Sequence, residues 1–394
     1  MSRREQRTST SFVFLSVMGL FAIFSSTMSK SPTLTLFARN ILGASDPEIC
    51  LIAAASTIPG ILASLPFGIL SDVYGRRKII LLSASLFALS PFLYLLVSTP
   101  LHLGIVRFIH GFATAIFGPV SVALVADLFP FRRGERMSIF SSATLLGRLM
   151  APFVGGILLT LTNKNFQTVY LVCGVSGILA LLAAARIHPE KKTTSAIERR
   201  NVGTTLVSGF REVVSERRIL AVSAVEAGQL FAYGAVEAFT PIYGEAVLKL
   251  LDWQIGVVLG LMGVLLMATK PLMGVLSDRA GRKLPIGIGL VLGAAALFAM
   301  FLADSFWSLA VILMVSGVGM AMVTASTSPL ITDLCKQKSY GSALGVLDTI
   351  MDIGQTLGPI TFGLLIGPLF YYASFAVVGV VLLTLALLFA LAVR

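Results

Sequence analysis

Charged residues are scarce in this chain, at 12% of its 394 residues, against about 25% in soluble domains. Hydrophobic residues make up 56% and fall in long runs. Cysteine is nearly absent, since only Cys50, Cys173 and Cys335 occur, at spacings that fit neither a disulfide framework nor a metal site. The composition therefore argues against a soluble globular domain, and we expect no bound metal.

The Gly-Lys dipeptide of a phosphate-binding loop is also absent from the sequence. No polar region is long enough for a nucleotide-binding domain, so an ATP-driven pump is disfavoured. A channel is disfavoured because selectivity filters are built as rings of equivalent elements. Asp348, Asp352 and His110 lack the nucleophile–base spacing of an enzyme. We therefore expect neither enzymatic activity nor a cofactor.

What is present is a series of apolar segments long enough to cross a bilayer, whose core of about 30 Å takes roughly 20 helical residues. Alternation of apolar and polar residues, the sign of a barrel strand, is missing from segments such as 79–98. The sequence predicts an all-α integral membrane protein with twelve transmembrane helices, here called spans 1 to 12. Their predicted bounds are 11–37, 47–70, 79–98, 101–129, 137–161, 167–187, 219–243, 253–276, 284–303, 306–333, 342–366 and 370–392.

Lysine and arginine are distributed unequally between the two sides of these spans. The loops on the side of the termini hold 23 of them and the opposite loops hold 3. The positive-inside rule then predicts a multi-pass protein of the inner or plasma membrane with both termini in the cytoplasm. Topology and attraction to anionic lipid account for the net charge of +11, so we expect no nucleic-acid partner.

A repeated segment divides the chain into two similar halves. Residues 68–76 and 274–282 are identical at six of nine positions, at an offset of 206. The same offset relates Gly111 to Gly317, and an offset of 207 relates Gly147 to Gly354. The sequence thus predicts two pseudo-symmetric six-helix bundles, residues 1–187 and 219–394, joined by a cytoplasmic linker at 188–218.

Over nearly its whole length the sequence resembles the major facilitator superfamily. The segment Gly68-x3-Asp72-x2-Gly75-Arg76 is similar to that family's loop motif between spans 2 and 3, and residues 274–283 form its second copy. Arg107-x2-His110-Gly111 is similar to the family's basic motif on span 4. An antiporter-like motif follows on span 5, with Ala151 where the family usually has glycine; its residues are Gly147, Pro152, Gly155 and Gly156. The resemblance implies transport by alternating access, with spans 3, 6, 9 and 12 outermost.

The acidic and basic residues of the loop motifs are interpreted as a conformational latch between the bundles. Glycines there allow a tight turn and close helix approach. The alternative is that these charges only fix topology and solubility, but topology needs only the bases, and the acids recur in both halves. The proposed latch residues are Gly68, Asp72, Gly75, Arg76, Asp127, Gly274, Asp278, Gly281, Arg282 and Asp333.

Ionisable residues inside the spans are candidates for substrate binding or ion coupling, because each costs roughly 2.5–3.5 kcal/mol at the bilayer centre. They are Lys30, Arg107, His110, Arg148, Glu226, Glu237, Asp348 and Asp352, and Lys270 is a further charged residue inside a span. Lys30 lies in a hydroxyl-rich stretch next to Pro32, where it either contacts substrate or pairs with an acid such as Glu237. His110 is either a proton relay or a packing residue.

Asp348 and Asp352 lie one turn apart on one face of span 11. They either share a proton or each pair with a cation such as Arg148. Glu226 and Lys270 lie nearer the cytoplasmic ends, within reach of the interface. Taken together, these features predict a monomeric secondary transporter that couples protons to efflux of drugs or small organic metabolites. The alternatives are proton-coupled uptake of a small anionic nutrient and a non-transporting membrane sensor.

Overall fold

The computed structural model describes residues 3–129, 133–188, 216–334 and 340–392. Within these ranges, twelve helical segments are long and apolar enough to cross a membrane, as predicted. The helices are Arg3–Met28, Thr33–Asn40, Asp46–Ala55, Ile58–Tyr74, Arg76–Leu93, Pro100–Leu128, Arg133–Leu161, Phe166–Ala185, Arg217–Ala246, Asp252–Ala280, Lys283–Phe298, Phe306–Leu334 and Tyr340–Ala392, with 3-10 turns at Tyr94–Leu96 and Ala299–Leu302. Phe370, with φ +59°, divides the last helix into spans 11 and 12.

Spans 1 and 2 each consist of two helices. Span 1 is interrupted at residues 29–32, around Lys30 and Pro32, as expected for a proline that cannot donate a backbone hydrogen bond. Span 2, predicted as one helix over 47–70, is interrupted at Ser56 and Thr57, just before Pro59. The continuous span 2 was a wrong prediction, and the same proline chemistry explains the break.

By its internal contacts the chain forms two compact units. One is Met1–Ala44 with Ala55–Arg200, and the other is Ser45–Ala54 with Asn201–Arg394. Most of the predicted linker, residues 189–215, lies outside the described residues, so the division at 188–218 stays a prediction. In the first unit span 1 packs on spans 5 and 6, and span 2 on span 4. In the second unit span 8 packs on span 10, and span 9 on spans 10 and 12.

The repeated glycines lie where helices cross. A β-carbon at Gly147 would collide with the carbonyl oxygen of Leu20, and one at Gly354 with that of Ala227. Span 5 therefore crosses span 1 in the same way as span 11 crosses span 7. Gly111 and Gly317 meet the carbonyls of Ser56 and Met262 in the same manner, which accounts for the conserved spacing of the repeat.

The glycines of the loop motif have a different role. Gly75 and Gly281 adopt φ values of +95° and +85°, which side-chain-bearing residues rarely adopt. Close helix approach, which was expected of the motif glycines, is absent at Gly68 and Gly274. Among the described residues, the nearest atom to a β-carbon at Gly68 would be 3.9 Å away, and none lies within 4 Å at Gly274. The prediction of a tight turn is confirmed, and that of close approach is wrong at these two positions.

Candidate functional site

The first loop motif is organised around Arg76. Its guanidinium pairs with Asp72 one turn earlier and, through Nε, with Asp127 at the end of span 4 at 3.2 Å. It also donates to the Ser71 hydroxyl and, at 3.4 Å, to the Gly68 carbonyl. Arg76 therefore ties the end of span 2 to the end of span 4 within the first unit.

The second loop motif repeats this arrangement around Arg282. Its side chain pairs with Asp278 and, through Nε, with Asp333 at 3.3 Å. Burial disfavours the charged guanidinium, but the hydrogen bonds to Asp278 and Asp333 outweigh it, and the pKa of Arg282 lies above its ordinary value. These ion pairs lie inside one unit each, and a latch between the bundles stays a prediction.

A buried polar cluster occupies the first unit; it consists of Ser56, Tyr94, Arg107 and His110 and is called the Arg107 cluster. Arg107 is 2% exposed and donates to the Ser56 hydroxyl at 2.7 Å and the Tyr94 hydroxyl at 3.3 Å. His110 Nδ1 lies 3.2 Å from the same Tyr94 hydroxyl. The structure thus brings Arg107 and His110 together through Tyr94.

The Arg107 cluster contains a cation whose described hydrogen-bond partners are neutral hydroxyl groups. In the described part of the chain, Arg107 Nε, His110 Nε2 and the neighbouring Tyr170 hydroxyl are buried without a hydrogen-bond partner. Tyr170 stacks on Tyr94, with ring centroids 4.4 Å apart. A buried guanidinium paired only with neutral groups is costly, so this cluster favours an anion or a mobile acidic group.

The antiporter-like motif lines the break in span 1. Gly155 faces Met28 and Pro32, and its missing side chain leaves room for the interruption beside Lys30. Lys30 is half-buried. Arg148, which follows Gly147 in the antiporter-like motif, is exposed. The remaining motif residues, Pro152 and Gly156, are buried.

A second polar cluster lies in the second unit; it consists of Glu226, Lys270, Thr327, Asp348 and Asp352 and is called the Glu226 cluster. Glu226 is 2% exposed and accepts a hydrogen bond from the Thr327 hydroxyl of span 10. Lys270 and Asp348 are close enough for their charges to act on Glu226, and Asp348 acts likewise on Asp352. The carboxylate of Glu226 is thus buried in protein, although its position suggested that it would reach the membrane interface.

Lys30 and Glu237 occupy equivalent positions in the two halves. Leu20 meets Gly147 on span 5, and Ala227 meets Gly354 on span 11, which sets an offset of 207 residues between spans 1 and 7. The same offset relates Lys30 to Glu237, which is 9% exposed. At this position of the repeat, the first half therefore has a basic residue and the second half has an acidic one. Their direct pairing stays a prediction, because they belong to different units.

Ser56, Tyr94 and Thr327 are the site residues that sequence reasoning missed. Thr327 lies in the stretch Thr324-Ala-Ser-Thr-Ser328, a hydroxyl-rich run inside an apolar span like the one around Lys30. The same signal could have identified it. Tyr94 lies at the end of span 3, which has no charge in its interior, and Ser56 lies at the unpredicted break of span 2. No sequence pattern marked either as a partner of Arg107.

Comparison with known proteins gives the family. The family model of the Major Facilitator Superfamily matches residues 11–269 and 252–394, which together span nearly the whole chain. The chain belongs to the major facilitator superfamily. It is therefore a multi-pass membrane protein of a transporter family, as the sequence predicted.

Two relatives place this major facilitator chain in more detail. An uncharacterised transporter of the superfamily from Methanocaldococcus jannaschii is 27% identical over 340 residues, covering 85% of this chain and 86% of the relative. The quinolone resistance protein NorA of Staphylococcus aureus is 22% identical over 383 residues, covering 94% and 95%.

Solved structures of the superfamily share the fold. A bacterial homologue of the human lysosomal transporter Spinster has a TM-score of 0.81 at 17% identity, over 100% of this chain and 98% of that one. The nucleoside transporter NupG has a TM-score of 0.78 at 14% identity, over 98% and 100%. At these identities the likeness establishes the twelve-helix fold and leaves the substrate open.

Proposed function

We propose that this protein is a proton-driven exporter of drugs or small organic metabolites that works by alternating access. The superfamily membership supports transport, and the name of the staphylococcal relative links a related chain to resistance against an organic drug. The observation that carries proton coupling is the buried carboxylate of Glu226, which accepts a hydrogen bond from Thr327 and lies within reach of the charges of Lys270 and Asp348.

The chemistry of the Glu226 cluster suits a proton carrier. It contains three carboxylates and one ammonium group, so with all groups ionised it carries excess negative charge in a membrane-spanning region. An ionised carboxylate there is expensive, and neutralisation by a proton removes most of that cost. A proton bound from one side and released to the other changes the charge of the second unit, and this change is the proposed coupling.

Proteoliposomes provide the test. With an imposed pH gradient and a panel of organic drugs, the wild-type protein is expected to accumulate a substrate, and Glu226→Gln is expected to exchange it without accumulating it. Glu245→Gln, near the opposite end of the same helix, is the matched control and should accumulate substrate normally. Gradient-driven accumulation by Glu226→Gln with unchanged pH dependence would contradict proton carriage by Glu226.

Uptake of a small anionic nutrient is the second candidate, and the Arg107 cluster favours it. The first unit places Arg107, Lys30 and Arg148 in spans 4, 1 and 5, and its acidic residues all lie in loops or at the ends of spans. Such an interior suits a carboxylate or phosphate group. Counterflow with matched panels of anionic metabolites and cationic drugs would distinguish the two candidates.

We also propose that both termini face the cytoplasm of the plasma membrane and that the protein acts as a monomer. The charge asymmetry of the loops supports this orientation. Cysteine introduced beside Gly281 should react with an impermeant reagent only from the cytoplasm, and cysteine at Asn165 or Ser305 only from outside. Ser195, a further cytoplasmic labelling position, lies outside the described residues. The reverse pattern of labelling would show that the termini face the outside of the cell.

A further inference from the structure

The second unit carries an apolar groove between spans 9 and 12, here called the 9–12 groove. Its volume is about 660 Å³. Gly287, Val291 and Ala295 line one wall, and Ala386 and Phe389 line the other. The span 9 residues are four apart, so they form one row along the helix. A β-carbon at Gly287 would have no neighbouring atom within 4 Å, which marks open space.

Among the described residues that line the 9–12 groove, one is a cation, and it lies at one end. Lys283, the first residue of span 9, belongs to the groove lining and is exposed. Within the described ranges it makes no hydrogen bond or ion pair, unlike the preceding Arg282, which is held by Asp278 and Asp333. The distance from Lys283 to Ala295 along the helix is about 18 Å. The groove is thus a long apolar cleft. The ammonium group at its membrane-boundary end has no partner among the described residues.

The first half has different residues at the equivalent positions. At the offset of 206, Gly287 and Ala295 correspond to Leu81 and Leu89, which carry larger side chains. Lys283 corresponds to Arg77, which donates to the Ala185 carbonyl at the end of span 6 at 3.1 Å. The small residues of the groove and the exposed lysine at its end are therefore not repeated in the first half.

We propose that the 9–12 groove binds one acyl chain of an anionic phospholipid, with the lipid phosphate on Lys283. Apolar side chains on transmembrane spans meet lipid tails, and a lysine at the membrane boundary attracts anionic headgroups. A second copy of this chain is a poorer occupant. A two-fold axis along the membrane normal would bring the Lys283 side chains of both copies to the same depth beside one interface, where their charges repel.

Native mass spectrometry of the delipidated protein tests this site. Phosphatidylglycerol and phosphatidylcholine with the same acyl chains are titrated separately, and the first equivalent of phosphatidylglycerol should bind more tightly. Lys283→Gln should weaken that equivalent about fivefold, the effect of one lysine near a membrane surface. Gly287→Leu should abolish it by filling the groove. Arg77→Gln, at the matched position of the first half, should bind as the wild type does.

Several outcomes would overturn the proposal. Equal weakening in Lys283→Gln and Arg77→Gln would show general electrostatic attraction. Full binding to Gly287→Leu, with its fold verified by gel filtration and thermal melting, would show that the groove is not used. Ala295→Leu, lower in the same row, repeats that test independently. Displacement of the lipid by inorganic phosphate would show a headgroup site without an acyl chain, and a dimer lost in Gly287→Leu would make a second copy the occupant.

Discussion

The two halves of the molecule share their helix crossings and differ in the sign of the charges within their spans. Gly147 and Gly354 mark equivalent crossings, and Arg76 and Arg282 pair with acids at the same spacing. The interior of the first half, however, contains Lys30, Arg107 and Arg148, while that of the second contains four carboxylates and one lysine. The second half therefore contains carboxylates, which a proton neutralises, and the first contains lysine and arginine side chains.

This difference separates what builds the fold from what the fold is used for. A residue that recurs in both halves serves geometry common to both, such as a crossing or a turn. A residue that occurs in only one half is not required by that geometry. If it is charged and lies inside a span, it also costs free energy to place there. The unrepeated charges are therefore the best candidates for substrate and proton binding, and the experiments below are designed to break or sharpen that comparison.

The largest effect is expected from the carboxylates of span 11. Asp348 and Asp352 have Ser141 and Leu145 at the equivalent positions, so the first half lacks them. Asp348→Asn or Asp352→Asn should abolish gradient-driven accumulation in proteoliposomes and preserve equilibrium exchange, because substrate binding survives the loss of the proton site. If both variants accumulate substrate with unchanged pH dependence, the pair is structural, and Glu226 and Glu237 remain as candidates.

Next in size is the effect of exchanging the opposite charges at the repeat position shared by Lys30 and Glu237. If they pair during the transport cycle, Lys30→Glu and Glu237→Lys should each slow transport about tenfold or more, because two like charges then meet. The double exchange should restore much of the rate. A double variant as slow as the worse single variant would instead assign Lys30 to the substrate.

The sequence predicted the fold well because its signals were repeated and local. Apolar runs gave the twelve spans, and the offsets 206 and 207 coincide with helix crossings. The break of span 2 was missed because the sequence is apolar on both sides of Ser56 and Thr57, so composition alone does not mark it. Tyr94 and Ser56 were missed as partners of Arg107 because hydroxyl groups carry no charge signal, and their meeting depends on tertiary packing of three spans.

A stability measurement at Arg107 distinguishes a functional cation from a structural one. Arg107→Met removes a buried charge that is paired only with hydroxyl groups, so the free energy of unfolding should rise by about 1–2 kcal/mol while transport falls more than tenfold. Arg148→Met, at an exposed position, should change the free energy of unfolding by less than about 0.5 kcal/mol. Denaturant titration in mixed micelles measures both, and a loss of stability in Arg107→Met would assign Arg107 a structural role.

The smallest effects are expected in the loop motifs, where burial differs between otherwise matched ion pairs. Asp127 and Asp333 lie 3.2 and 3.3 Å from their arginines, but their side chains are 13% and 57% exposed. Exposed ion pairs contribute about 0–1 kcal/mol because water screens them, and partly buried pairs contribute more. Asp127→Asn should therefore lower the free energy of unfolding by about 1–2 kcal/mol, and Asp333→Asn by less than about 0.5 kcal/mol.

Transport rates then separate stability from the proposed latch. If the motif acids act as a latch, Asp72→Asn and Asp278→Asn should slow alternation by a similar factor, because both bundles take part in one conformational change. Rates are measured in proteoliposomes at matched protein content, with stability measured on the same preparations. Wild-type rates in both variants would show that the acids only hold Arg76 and Arg282 in place at the ends of their spans.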